Sequence, residues 1–217
     1  MGSSKLNVPD RFEHSREVFR YHLGVQRVLV IGNSGSGKTT LARSLAGRLG
    51  APHIELDGIF HQAGWTPLDP VEFRRRVDEA TSMPCWVVCG NKAVVRDILW
   101  DRADTVICFD LPKWLNLWRV VRRTAVRWVR HQELWNGNRE TLRRILALHD
   151  KDRSILRWAW SAHAEKRADI RRSVADERWS HITFHVIRRS RDAQRILDGA
   201  PAVAASTPSA RKSTPET

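Results

Sequence analysis

Apolar residues follow two alternating rhythms along this chain. Short runs of β-branched and aromatic residues recur at 27–32 (RVLVIG), 53–57 (HIELD), 85–89 (CWVVC), 104–110 (DTVICFD) and 181–187 (HITFHVI). Between them the apolar positions take a helical spacing, over 38–49, 70–82, 92–100, a long stretch from 112, and 190–198. Short apolar strands separated by amphipathic helices predict a parallel sheet covered on both faces, because a strand buried on both sides has no polar face to show. Gly47, Gly50 and Pro52 punctuate the end of the first helix, and Pro70 sits where a first helical turn tolerates it.

The same pattern divides the chain. Residues 1–25 are polar with a weak helical spacing (Phe12, Val18, Phe19, Leu23) and read as a leader or peripheral helix. Residues 26–198 read as one α/β domain, with 112–174 helical throughout as an insertion rich in Arg and Trp. Residues 199–217 are Ala, Ser, Thr and Pro without period and read as a disordered tail. No run approaches the ~20 apolar residues that span a bilayer, and the first residues lack the apolar centre of a secretory signal. A cytoplasmic protein without a membrane partner, monomeric or weakly dimeric, is expected. Cys85, Cys89 and Cys108 lie in or beside strands without a His at metal spacing, so they read as core thiols.

Charge changes the picture in one place. The net charge is +13, and seven of the 37 basic residues are Lys, the rest Arg. Arg grips phosphate bidentately and stacks on flat rings, so the bias fits a phosphate-rich ligand or nucleic acid; codon pressure in a high-GC genome produces the same bias. Residues 119–172 hold fifteen basic against six acidic residues, which is +9 of the total.

The candidate chemistry starts where the first strand meets the first helix. Residues 32–39, GNSGSGKT, match G-x-x-x-x-G-K-[ST] in the strand-to-helix setting that a phosphate-cradling loop requires. Gly32, Gly35 and Gly37 permit a turn in which the backbone N–H groups of Asn33, Ser34, Ser36 and their neighbours converge on an anion. Lys38 supplies an ammonium for the β and γ oxygens, and Thr39, with Thr40 as a weaker second, offers a hydroxyl to Mg²⁺. The expected cofactors are ATP and Mg²⁺. Asp57, at the predicted end of the second strand, lies on the ligand side of a parallel sheet. A carboxylate there orients an acceptor hydroxyl or holds Mg²⁺, unless it only caps a turn. Trp65, in FHQAGWTP, is placed to wall a substrate pocket, or simply to pack.

Taken with the phosphate loop, the ordered set LDGIFH, GW-TP, GN-x(4)-RD-x(2)-W-x-RAD, FDLP and ELWNGNRET resembles the small P-loop kinases related to adenylate kinase, in the branch labelled topology modulation proteins or adenylate kinase-like. The resemblance covers about residues 26–198. It implies a nucleoside-monophosphate-kinase fold: a five-stranded parallel sheet flanked by helices, a substrate segment after the second strand and an Arg-bearing lid after the fourth. By position it implies that Asp57 and Arg96 face the phosphoryl acceptor and that Arg119 and Arg123 match arginines at the start of the lid, beside the base and on the transferring phosphate. One departure stands out. The family pattern carries Asp at the end of the third strand, where it holds Mg²⁺ through water, but this chain reads Cys89-Gly90-Asn91-Lys92. A thiol is a poor Mg²⁺ ligand, so either Asp57 or Asp110 takes the metal or phosphotransfer is weak; Lys92 adds a cation near the phosphates.

The expectation is therefore a kinase that transfers the γ-phosphoryl group of ATP to a small-molecule acceptor, with a nucleoside monophosphate as one acceptor class. Lys38, Asp57, Arg119 and Arg123 would be catalytic, and Asp57, Trp65 and Arg96 would bind the substrate. The rival is a nucleic-acid-associated ATPase, or an ATP-binding protein with weak or lost phosphotransfer, prompted by the basic segment bearing Trp128, Trp135, Trp158 and Trp160. Packing is the favoured role of those tryptophans, and nucleic acid is not the favoured partner.

Overall fold

The computed structural model describes residues 26–130, 133–138, 168–170 and 172–200. Five strands, β1 (Arg27–Gly32), β2 (His53–Glu55), β3 (Trp86–Cys89), β4 (Thr105–Phe109) and β5 (Thr183–Ile187), pair in parallel in the order β2-β3-β1-β4-β5. The predicted leader, residues 1–25, and 201–217 of the predicted tail lie outside the described residues.

Alternation along the buried strands divides the core in two. Leu29, Ile31, Val88, Val106 and Cys108 point to one face, where they pack with Leu56, Phe73, Trp100 and Trp179. Val28, Val30, Val87, Cys89, Ile107 and Phe109 point to the other, against Leu41, Ala42 and Leu45 of helix α1 (Lys38–Leu49) and Ile196 of the last described helix. β3 and β4 are buried at every position, as a strand sandwiched between helical layers must be.

The connections carry the site. β1 lies between β3 and β4, so the chain leaves β1 toward one side of the sheet and later crosses to the other. That reversal opens a crevice at the C-terminal end of β1, where parallel α/β sheets take ligands. Several predicted boundaries shift. The second strand stops at Glu55, and Asp57 falls inside a short helix, α2 (Leu56–Phe60), instead of ending the strand. The helix expected from residue 92 is a 3-10 turn (Ala93–Val95) followed by α4 (Arg96–Arg102), after α3 (Pro70–Ala80). Asp69 caps α3, accepting from the N–H of Val71 and Glu72.

The insertion begins with one long helix. α5 (Lys113–Val129) ends at Arg130, and residues 133–138 turn back through a 3-10 segment, Trp135–Gly137, with Asn136 at φ 54° and Gly137 at φ 72°. Residues 139–167, including Trp158 and Trp160, lie outside the described residues. α5 turns Asn116, Val120 and Thr124 inward and leaves Trp114 and Trp118 exposed. Trp128, expected to pack helices together, is 41% exposed. The final helix, α6, runs Ser190–Gly199.

Candidate active site

The sequence folds the phosphate loop through glycine. Gly35 and Gly37 sit at φ 78° and 97°, and Gly37 is the N-cap of α1 with no side-chain cap bond over it. The first N–H groups of α1 therefore face the crevice, and together with the helix dipole they form an anion site. A Cβ on Gly35 would lie 2.4 Å from the carbonyl oxygen of Asn116, and one on Gly32 2.7 Å from Cβ of Phe109, so α5 and β4 press on the loop too closely for side chains. Asn33, Ser34, Lys38 and Thr39 are half-buried along this cradle, and Ser36 is buried; Thr40 faces solvent.

At the mouth of the cradle the third strand delivers Cys89 where the sequence placed it. Its Sγ is 3.4 Å from Oγ1 of Thr39. Burial pushes the thiol pKa up, against the opposing pull of Lys38 and the Thr39 contact, so the sulfur is a neutral thiol. The position beside the Thr39 hydroxyl thus offers no anionic oxygen. Mg²⁺ is a hard cation that binds through oxygens and keeps several waters. Thr39 fits that chemistry and Cys89 does not.

Asp57 reaches the same mouth from the first turn of α2. Its Oδ1 is 3.1 Å from Nζ of Lys92. Burial works to raise the Asp57 pKa, but Lys92, and after it Lys38, outweigh burial and hold the carboxyl below the usual range. Lys92 is also 4.1 Å from the centre of the Phe60 ring, a cation–π contact on the other wall. A carboxylate already bonded to an ammonium is a poor place for a second cation, so Asp57 suits an acceptor hydroxyl better than Mg²⁺. Asp110 follows β4 and its N–H donates to the Ile187 carbonyl at 2.9 Å.

Arg96 does not point freely into the crevice. Both of its terminal nitrogens bond the carboxylate of Asp169, Nη1 at 3.0 Å, and Nη1 lies 3.4 Å from Ser173 Oγ. The guanidinium sits 6.0 Å from the Trp100 ring. This pair ties α4 to residues 169 and 173, which corrects the expectation of an arginine open to the acceptor. Arg119 lies over the phosphate loop: Nη1 donates to the Ser36 carbonyl at 3.3 Å and Nη2 to Ser190 Oγ at 2.8 Å. Arg123 follows one turn later and is half-buried.

The segment after β2 is held by residues that sequence reasoning missed. Asn138, buried, accepts the N–H of Trp65 at 2.8 Å and donates to the carbonyls of Gln62 at 2.9 Å and Trp135 at 2.8 Å. Trp135 donates its indole N–H to Glu55 at 3.0 Å and lies on Gly58, where a Cβ would meet its Cδ1 at 2.8 Å. Asn136 donates to the carbonyls of His61 at 2.5 Å and Gly58 at 3.4 Å. ELWNGN thus clasps the segment after β2. Trp65, held at φ 61° and edge-on to His61, belongs to this clasp by its backbone. The motif itself was visible in the sequence, but its docking partner, more than seventy residues away, was not.

One family model and several solved structures are similar to this chain. A family model described as ATPase family associated with various cellular activities (AAA) matches residues 28–89, which run from β1 to Cys89. No curated sequence matches the chain. Among solved structures, similar chains include a gluconokinase from Sinorhizobium meliloti 1021 (16% identity, 82% of this chain and 93% of that one, TM-score 0.48). A shikimate kinase from Acinetobacter baumannii in complex with shikimate is also similar (19% identity, 80% and 89%, TM-score 0.47). The chain has the α/β P-loop NTPase fold. Neither comparison bears out the finer resemblance to adenylate kinase-like proteins.

Proposed function

We propose that this protein is an ATP-dependent phosphotransferase that moves the γ-phosphoryl group of Mg-ATP to a hydroxyl of a small molecule. The observation that carries the reading is the meeting of a phosphate cradle with an ionised carboxylate: Lys38 and Asp57 lie close enough that each ammonium around Asp57 lowers its pKa. In this reading the Gly32–Thr39 loop and Lys38 hold the β and γ phosphates, and Arg119 and Arg123 close over them from α5. Mg²⁺ arrives with ATP, neutralising phosphate charge, and Thr39 is the protein oxygen that would hold it. Asp57 accepts a hydrogen bond from the acceptor hydroxyl and aims its lone pair at the γ-phosphorus. The new O–P bond forms as the bond to the β,γ-bridging oxygen breaks, ADP leaves with that electron pair, and the hydroxyl proton passes to solvent. A low-pKa Asp57 orients the hydroxyl and does not retain its proton, which suits a transfer dominated by positioning and charge. A nucleoside monophosphate acceptor would require Arg96 to leave Asp169. Trp65 serves as part of the acceptor wall.

The test is ADP release from Mg-ATP in the presence of candidate acceptors, beside Lys38→Ala. Acceptor-stimulated turnover that falls on the order of 100-fold or more in the variant supports the reading; ATP binding without stimulated turnover sinks it. A second reading, nucleic-acid association, draws on the outward face of α5, where Arg122 lies 5.6 Å from the exposed Trp118 ring. It requires duplex or single-strand binding that weakens steeply with salt.

A further inference from the structure

Two cations approach the acceptor side from the segment after β3, and they are held very differently. Arg96 is spent: its guanidinium is matched by the Asp169 carboxylate, with Ser173 and Trp100 around it. Withdrawing it would leave Asp169, 30% exposed, with only the exposed Arg172, 3.8 Å away, as a paired charge. Lys92 is bound by one contact to Asp57 and by the Phe60 ring, and its ammonium carries three donors on a flexible stem. That stem lets it turn from Asp57 toward an incoming anion.

We infer that Lys92 selects the acceptor, and that the acceptor is a small hydroxyl compound bearing one carboxylate, not a nucleoside monophosphate and not a neutral polyol. The inference rests on the kinase reading above and deepens it.

Charge decides against the phosphate monoester. A phosphate group brings about −1.5 to −2 at neutral pH. Set beside the ionised Asp57, it would face one ammonium already shared with that carboxylate, since Lys38 is occupied by the nucleotide. One carboxylate brings half that charge. The Lys92–Asp57 contact decides against the neutral polyol. A neutral molecule leaves the ammonium on Oδ1 of Asp57, the oxygen nearest to it. An arriving carboxylate draws Lys92 toward itself and frees that oxygen for the reacting hydroxyl, so binding the anion and orienting the hydroxyl are one event. Lys92 thereby acts as a specificity residue that is itself in contact with substrate.

The experiment follows ADP release from Mg-ATP with hydroxy monocarboxylates from glycerate to gluconate, with glycerol and sorbitol as neutral counterparts, and with AMP and CMP. It uses the full chain, Lys92→Met, Lys92→Arg and Lys38→Ala, each checked for folding by its melting temperature. The expected result is stimulation by one or more hydroxy acids over their neutral counterparts. In Lys92→Met the KM for the acid should rise ~10–100-fold, as for loss of a charged hydrogen bond, with the KM for ATP unchanged. Lys92→Arg should recover part of the preference. Stimulation by AMP, CMP or a polyol at least as strong as by any acid overturns the inference while leaving the kinase reading standing, as does an acid preference that survives Lys92→Met. Absence of Lys38-dependent stimulation by every acceptor overturns both.

Discussion

Around Lys38 the crevice is lined by main chain, and around Asp57 it is lined by side chains that find one another across the fold. The cradle consists of glycines, helix N–H groups and carbonyls brought together within eight residues. The segment after β2 is held by Asn138 reaching Trp65 over 73 positions, Trp135 reaching Glu55 over 80, and Lys92 reaching Asp57. The first arrangement fixes an ion of one shape, because backbone dipoles cannot be exchanged by mutation. The second can be rewritten one residue at a time.

If the two sides are this separate, each should fail alone. Gly35→Ala should have the largest effect. It places a Cβ against the Asn116 carbonyl in a backbone region that disfavours side chains, so we expect loss of about 1–3 kcal/mol of stability and a weaker KM for ATP. The acceptor KM should change little; steady-state kinetics in both substrates and chemical denaturation check this, and equal damage to both KM values would break the comparison.

Asn138→Ala is the converse. Two bonds to the segment after β2 and one to Trp135 go, at a cost of about 1–3 kcal/mol for the groups left unpaired, and the acceptor KM should rise while nucleotide affinity holds. Titration of an ATP analogue by calorimetry, beside acceptor kinetics, separates the two.

The smallest effect should fall on both sides together, because it acts through the sheet they share. Burial lowers the pKa of His185 on β5 from 6.5 to about 4. The unfolded chain therefore takes up a proton below pH 6.5 that the folded chain refuses until about pH 4. Stability from this residue is complete above pH 6.5 and declines as the pH falls toward about 4. Denaturation midpoints measured from pH 7 to 5 should fall, and His185→Gln should flatten the slope; an unchanged slope would remove His185 from the account.

What was legible in the sequence follows the same division. The spacing of Gly32, Gly35, Gly37, Lys38 and Thr39 is local, so sequence alone placed the cradle, and the apolar runs placed the five strands because burial on both faces leaves a continuous signal. Asp57 was found, but as a strand end, since a three-residue edge strand and a one-turn helix share the run HIELD and periodicity cannot separate them. Arg96 looked open to a ligand because its partner Asp169 lies 73 positions downstream. The helical reading of 112–174 did not place the turn at Asn136 and Gly137, whose backbones take positive φ. For Arg96 the missing information was a pairing, and a pairing over such a distance leaves no period to read.

The central place of β1 has a consequence for how the protein is made. The strand that leads into the cradle emerges first from the ribosome, yet its neighbours β3 and β4 come later, the second ending at Phe109. At ~5–20 residues per second, roughly 4–16 s pass between Arg27 and Phe109. During synthesis the nascent chain thus carries an apolar strand without either of its partners, and the phosphate loop takes its final shape only after half the polypeptide has been translated.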